Sequence, residues 1–324
     1  VIISTRCVIG CMVDIDLLDS GSRVPVQTGM GLAHSSWVNV ILIGAVVGLP
    51  WWSQEAGTVS LGLKQAEHIA HVAVSSPQEA VPEGFFLMGT PRQGKLYGLE
   101  IQYDDTEQPQ RRIWLSAFLI DRYEVSLGEF LDWLQQERRP LPEELHKLIE
   151  HMTTVHAMQP ETLARWPALY VTWREASEFC RARGKRLPTE AEWEKAARGE
   201  SGNLFPWGNR PPSPDLAKFG QYHVHEIPIV GSVDGGKEGR SPYGLHHMAG
   251  NAAEWVADWF GIDYYATMPT RNPPGPKTGR YKVVRGGSWK SSPELLRTAT
   301  RSGALPDQRA ATIGFRCARS LELE

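Results

Sequence analysis

Clustered positive charge is missing from this sequence: 34 Lys and Arg stand against 37 Asp and Glu, the net charge is -3, and no basic run occurs. Nucleic acid is therefore not an expected partner, since binding it rests on grouped Lys and Arg that neutralise phosphates. Cysteine is scarce too. The four, Cys7, Cys11, Cys180 and Cys317, are too few for a disulfide-built scaffold, and they form neither a CxxC metal pair nor the CxxCH of covalent haem. No nucleophile elbow, phosphate-binding loop or internal repeat is present, which removes the serine hydrolases, P-loop enzymes and solenoids. What remains is a chain of 324 residues, 41% apolar and 22% charged, neither disordered nor polytopic, with length for about two domains or one large domain with an appendage.

Tryptophan is plentiful. Twelve Trp alongside 31 Gly and 23 Pro point to a loop-rich fold in which large rings pin irregular segments. The one long apolar run extends from Trp37 to Trp52, and no Asp, Glu, Lys or Arg occurs between Arg23 and Glu55. As a helix, those sixteen residues span about 24 Å at ~1.5 Å each, a little short of a ~30 Å hydrocarbon core, with room to extend upstream. Residues 36–53 are accordingly expected to be a retained membrane anchor following a 1–35 extension, with Trp at both ends as interfacial anchors. A signal peptide and a buried or interfacial helix are the alternatives. Residues 54–80 read as a linker with a short helix around Leu63–Val74.

From Val81 to about Arg319 the texture is that of one compact domain, with 320–324 as a tail. Three hydroxyl residues each precede a Glu by three positions: Ser126 with Glu129, Thr172 with Glu175, and Thr189 with Glu192. That spacing lets each side chain satisfy a backbone N–H of the other's residue, so three helix starts are expected there. The second helix should end at Gly184 and the third at Gly199, with Phe179, Cys180, Trp193 and Ala196 facing inward. A further helix is expected over Pro142–Met152, and strands over Gly84–Met88, Ile113–Ile120, Lys282–Arg285 and Gly314–Cys317. Long Pro- and Gly-rich stretches separate them, so the class is α+β with little regular structure and much ordered coil.

Several segments carry a resemblance. Phe86-Leu-Met-Gly89, Asp121-Arg-Tyr-Glu-Val-Ser126, Gly184 to Gly199 with its Arg-Leu-Pro-Thr-Glu-Ala-Glu-Trp, Phe205-Pro-Trp-Gly-Asn209, Met248-Ala-Gly-Asn-Ala-Ala-Glu-Trp-Val256, Arg285-Gly-Gly-Ser-Trp289 and Ile313-Gly-Phe-Arg-Cys-Ala-Arg319 occur in the order found in the formylglycine-generating enzyme / sulfatase-modifying factor domain family. The match covers roughly 81–319. The resemblance implies a variant of the C-type lectin fold, in agreement with the low-regularity α+β reading. The family includes copper-dependent oxidases that make formylglycine, the catalytic half of iron-dependent sulfoxide synthases, and domains that only bind or build. One scaffold with several functions leaves the site to decide.

The resemblance implies that the oxidases hold copper through a cysteine pair after the Gly-Gly-Ser-aromatic strand, a donor set that suits soft Cu(I). Here Lys290 to Ile313 contains no Cys, and the matching positions fall around Pro293 and at Thr298, neither of which replaces a thiolate. Copper is not expected. The resemblance also implies a calcium loop at His247, Gly250, Ala252 and Glu254; His247 stands where a side-chain oxygen is wanted, so calcium is left open against a metal-free loop fixed by Glu254. The three-histidine iron site of the sulfoxide synthases has no helical domain to supply it. His146, His151 and His156 are spaced by five, which turns about 140° on a continuous helix and does not aim two rings at one ion. His223 with His225, and His246 with His247, read as structural.

Arg285, Trp289, Arg297 and Arg301 lie where family members shape their substrate cleft and could clamp a carboxylate or peptide; the alternative is that they are braces and core rings. The resemblance pairs the oxidases' last cysteine with a residue matching Ala197, so Cys180 and Cys317 are expected to be two buried free thiols, a bond between them being the alternative. The functional expectation is a catalytically silent, membrane-anchored domain, lying outside the cytoplasm, that serves as a structural or binding subunit of a membrane-protein or extracytoplasmic complex. The alternative is an oxidoreductase or maturation factor with chemistry other than copper-cysteine.

Overall fold

A computed structural model describes residues 63–72, 75–221 and 228–321. Within them a three-stranded sheet has the order β1 (Gln78–Val81), β6 (Phe118–Asp121), β11 (Ala318–Ser320), antiparallel throughout. A four-stranded sheet has the order β10 (Ile313–Phe315), β7 (Ala253–Trp259), β8 (Lys282–Arg285), β9 (Arg301–Ala304), parallel only between β10 and β7. Two hairpin-like pairs complete the strands: β2 (Gly84–Met88) with β5 (Arg111–Leu115), and β3 (Gln93–Leu96) with β4 (Leu99–Gln102). This is the α+β architecture read from the sequence.

All three capping boxes form. They start α2 (Leu127–Gln136), α5 (Trp173–Ala182) and α6 (Glu190–Arg198), and Gly184 and Gly199 follow the last two with φ of 67° and 71°, the left-handed turn that a side chain resists. The helix expected near Pro142 is α3 (Glu143–Thr154); a short α4 (Pro160–Ala164) follows it, and α7 (Tyr264–Thr267) lies late in the chain. Two expected strands end early. Ile113–Ile120 breaks at Ser116 because β5 and β6 serve different sheets, and the Asn272 amide oxygen accepts the freed Ser116 N–H at 2.8 Å. The expected Gly314–Cys317 strand is cut short: β10 ends at Phe315, Arg316 and Cys317 lie between strands, and β11 begins only at Ala318.

Two expectations are corrected. The helix expected around Leu63–Val74 is present over 63–71 (α1), but the 54–80 segment is not a free linker along its described length: α1 buries Ala66, Ile69 and Ala70 in the main core, and β1 is a full strand of the first sheet. Apolar residues three and four apart on α1 give it a face to bury, and that burial anchors it. Cys180 and Cys317 are not free thiols but a disulfide, because α5 and the β10–β11 junction approach to a Cα–Cα distance of 5.6 Å. Cys7, Cys11 and the apolar run at 36–53 lie outside the described residues. Among the described residues no helix is long and apolar enough to cross a membrane.

The main core gathers α1, α2, α3 and α5 around Phe130, Trp133, Phe179 and Phe315, whose rings meet edge to face or tilted. A second core lies between α6, β2, β5 and β8, centred on Trp193. Indole N–H groups pin coil as the composition suggested: Trp255 donates to the Val171 carbonyl at 2.9 Å, Trp289 to Ala311 at 2.9 Å and Trp173 to Val256 at 2.8 Å.

Candidate functional site

Strand β8 ends at Arg285 and the chain turns over Trp193 through Gly286 and Gly287, with φ of 88° and 66°. A Cβ on Gly286 would stand 3.1 Å from the Trp193 ring, and one on Gly287 would stand 3.0 Å from the Leu295 carbonyl, so the tight passage needs glycine at both. The segment that follows walls a cleft of about 240 Å³. Its floor is one face of the four-stranded sheet, Ala253, Val284 and Ile313, and its polar rim is Ser288, Ser291, Thr300, Ser302, Gln308 and Thr312. None of the lining residues is charged, and none is Cys or His.

The hydroxyls are partly committed. Ser291 Oγ accepts the Ser288 N–H at 2.9 Å, Ser288 Oγ accepts the Lys290 N–H at 3.3 Å, and the two oxygens are 3.4 Å apart. Thr300 Oγ1 is buried and has no hydrogen-bond partner. A buried polar atom in that condition costs about 1–3 kcal/mol.

The residues expected to shape a cleft sit behind it. Side chains alternate across a strand, and β8 and β9 pair Val284 with Ser302 and Arg285 with Arg301. The first pair faces the cleft; the second faces α6. Arg285 reaches Glu194 at 2.5 Å, Glu190 at 3.3 Å and the carbonyls of Thr298 and Ala299. Arg301 forks onto Glu190 at 2.6 and 2.9 Å. Arg297 forks onto Glu107 at 2.7 and 2.8 Å. Trp289 is buried and ties the wall to the 311 carbonyl rather than lining the space. These four are internal braces, so the clamp reading is replaced by the brace reading. Shifting by one residue along each strand would have found Val284 and Ser302; Thr300, in the coil just before β9, carries no periodic signal.

The same α6 network is deeply buried. Arg198 donates to Glu194 at 2.7 Å, and the Gly89 N–H and Tyr265 hydroxyl add to that carboxylate at 2.7 and 3.3 Å. Burial and the two carboxylates drive Tyr265 far above the ordinary phenol range. Burial and Glu190 push Asp258 up to about 7. On the outer side of the sheet, Lys282 lies 3.8 and 3.9 Å from the ring centres of Trp173 and Trp259, and burial lowers it to about 8.

Gly250 and Ala252 lie in one loop with His247, and Glu254 follows at the start of β7, but the donor set does not fit calcium. Glu254 Oε2 accepts from Trp193 Nε1 at 2.8 Å and from Arg316 Nε at 2.7 Å, and Oε1 accepts from Arg316 Nη2 at 2.7 Å. A guanidinium thus already neutralises the one carboxylate of this set, where calcium would need most of six to eight oxygens. His247 is wholly buried at φ 55° with Nε2 3.0 Å from the Ser232 carbonyl, and burial lowers it to about 4, so the imidazole is neutral and offers no oxygen. Glu124 lies beneath, accepting from Asn251 Nδ2 at 2.7 Å and from the Ala252 N–H at 3.0 Å; burial and Glu254 push it up to about 8. The positions matched to copper ligands do not fit either. Thr298 is buried with its hydroxyl donating to the Asn203 carbonyl at 2.8 Å, and Pro293 opens a short 3-10 turn.

His223 and His225 lie outside the described residues, and among the described residues no group of three or more His, Cys, Asp or Glu side chains is gathered as for a metal ion.

A family model described as the sulfatase-modifying factor enzyme 1-like domain matches residues 67–321. A formylglycine-generating enzyme of Thermomonospora curvata is 34% identical over 75% of this chain and 95% of its own length. A Mus musculus protein named inactive C-alpha-formylglycine-generating enzyme 2 is 29% identical over 83% of this chain and 91% of its own. Among solved structures, PvdO from Pseudomonas aeruginosa superposes with a TM-score of 0.58 at 26% identity, covering 75% of this chain and 94% of that one.

Proposed function

Because the chain belongs to the sulfatase-modifying factor family, and because its cleft offers hydroxyls and no thiolate, we propose that it is a catalytically silent binding member of that family. The single observation that carries this reading is the lining of the space beyond β8: Ser288, Ser291, Thr300 and Ser302, uncharged and without a soft donor. Cysteine oxidation by the copper route needs sulfur ligands, and hard hydroxyl oxygens do not hold Cu(I). The occupant suited to this lining is a neutral polar segment, such as a peptide main chain with an uncharged side chain, meeting the exposed Ser302 and the half-buried Ser291.

In this reading the domain is a structural or binding subunit of a membrane-protein or extracytoplasmic complex, tethered by residues 36–53 and placed outside the cytoplasm. Two observations support the placement. The chain carries a buried disulfide, a bond that persists in oxidising compartments, and the 36–53 run has the composition of a bilayer span. A relative named inactive supports a silent member within the same family.

The test has two arms. The full chain is incubated with Cu(I), desalted, analysed for metal, and assayed for aldehyde formation on a cysteine-containing sulfatase peptide. Neither stoichiometric copper nor product is expected. In parallel, the protein is isolated from its native membrane in mild detergent, and stable co-purifying subunits are expected. Stoichiometric copper with peptide turnover would overturn the proposal.

A further inference from the structure

The histidines of α3 form an arrangement that the helical period alone does not foresee. His151 lies in the last turn of α3, which ends at Thr154, and His156 lies just beyond it. The Val155 N–H still closes on the His151 carbonyl at 2.9 Å, after which Ala157 turns left-handed at φ 48° and the Met158 N–H returns to the Met152 carbonyl at 3.0 Å. This reversal folds His156 back over the helix end. The two rings therefore meet, with centroids 5.1 Å apart and planes at 64°, although five positions on a continuous helix would set them about 140° apart.

That separation is the one a shared metal ion requires. With metal–nitrogen bonds of about 2.0–2.1 Å and a tetrahedral angle of roughly 109°, two imidazoles on one ion hold their centroids about 5.2 Å apart. Both side chains are exposed, so each ring is free to rotate until a nitrogen faces the shared point, with the remaining positions open to water. The carbonyl end of α3 adds partial negative charge beside them, which favours a cation. Backbone closure on both sides of the pair fixes the two residues' main-chain positions before any ion arrives.

We infer that His151 and His156 form a surface site for a borderline divalent transition ion, of the Zn²⁺, Ni²⁺ or Cu²⁺ class, remote in sequence from the cleft residues and separate from the family's metal chemistry. Imidazole nitrogen selects these ions over Ca²⁺ and Mg²⁺, which prefer oxygen.

The test uses the untagged full chain titrated with ZnCl₂ and CuCl₂ by calorimetry, with CaCl₂ as control. One equivalent of Zn²⁺ or Cu²⁺ is expected to bind, Ca²⁺ is not, and H151A and H156A should each weaken that equivalent at least tenfold while H223A leaves it unchanged. Electron paramagnetic resonance of the bound Cu²⁺ should show coupling to two imidazole nitrogens, falling to one in H156A. Both rings are exposed, so the variants should melt with the wild-type chain, which is checked first. Absence of binding, or binding that H151A and H156A leave intact, overturns the inference.

Discussion

Glu194 is the most informative residue to remove. Five ionised side chains meet behind the cleft: Glu190 and Glu194 with Arg198, Arg285 and Arg301, all nearly or wholly buried. Glu194 serves two of the guanidiniums at short range, at 2.7 Å to Arg198 and 2.5 Å to Arg285, and also holds the Gly89 N–H at 2.7 Å, whereas Glu190 holds Arg301 closely and Arg285 only at 3.3 Å. In E194Q one carboxylate must serve three cations, and the new amide places donors where two guanidiniums and a backbone N–H already donate. Breaking one side of a buried pair costs about 3–5 kcal/mol, because the partner charge is left without compensation. For a domain of this size about 2–4 °C of melting temperature follows each kcal/mol, so a fall of roughly 6–20 °C is expected. The assay is urea unfolding with the slope held under observation, supported by calorimetry. R285M should cost less, because Glu190 and Glu194 retain Arg301 and Arg198. An E194Q protein within about 1 kcal/mol of wild type would refute the reasoning, since it would mean that water reaches the network and screens it.

Glu124 sets a pH dependence of unusual sign. Its carboxyl is held at about 8 in the folded chain against 4.5 unfolded, so between those values the native state binds the extra proton and stability falls as pH rises, by at most about 1.4 kcal/mol per unit. Asp258, pushed up to about 7, acts in the same direction below that pH. E124Q should flatten part of the slope in urea melts at pH 5, 6.5 and 8; an unchanged slope would contradict the assignment. Because Arg316 already neutralises Glu254, millimolar calcium or a chelator should leave the melting temperature unchanged, and a calcium-induced rise would count against that account. The disulfide closes a loop of 137 residues, for which chain entropy sets a ceiling of about 5 kcal/mol. C180S with C317S should unfold at clearly lower urea, whereas equal midpoints would mean that the bond is dispensable.

Some of this molecule was legible from residue order alone. Capping boxes at Ser126, Thr172 and Thr189 act over three positions, so their chemistry is complete within the local chain, and all three helices start where expected. The ordered family motifs and the missing cysteines between Lys290 and Ile313 are likewise properties of the string of residues. Local rules failed where the deciding partner was distant. Ser116 ends a strand because two different sheets claim its neighbours, and the 63–80 segment looked like a tether because its partners begin at residue 118 and beyond.

The site shows the same division. That arginines and a Gly-Gly-Ser-Trp turn belong to one region followed from the sequence; which side of the sheet each occupies did not, because the alternation of β8 and β9 has no absolute phase until packing against α6 supplies one. Cys180 and Cys317 could be judged buried from their settings but not joined, since 137 residues of separation say nothing about a Cα distance of 5.6 Å. The two histidines past α3 meet for a related reason: a left-handed residue at Ala157, adopted without glycine, redirects the chain at a point where periodicity had ceased to apply. Residue chemistry and short-range hydrogen bonding are encoded locally, whereas facing, pairing and burial depend on contacts that exist only once the chain has closed upon itself.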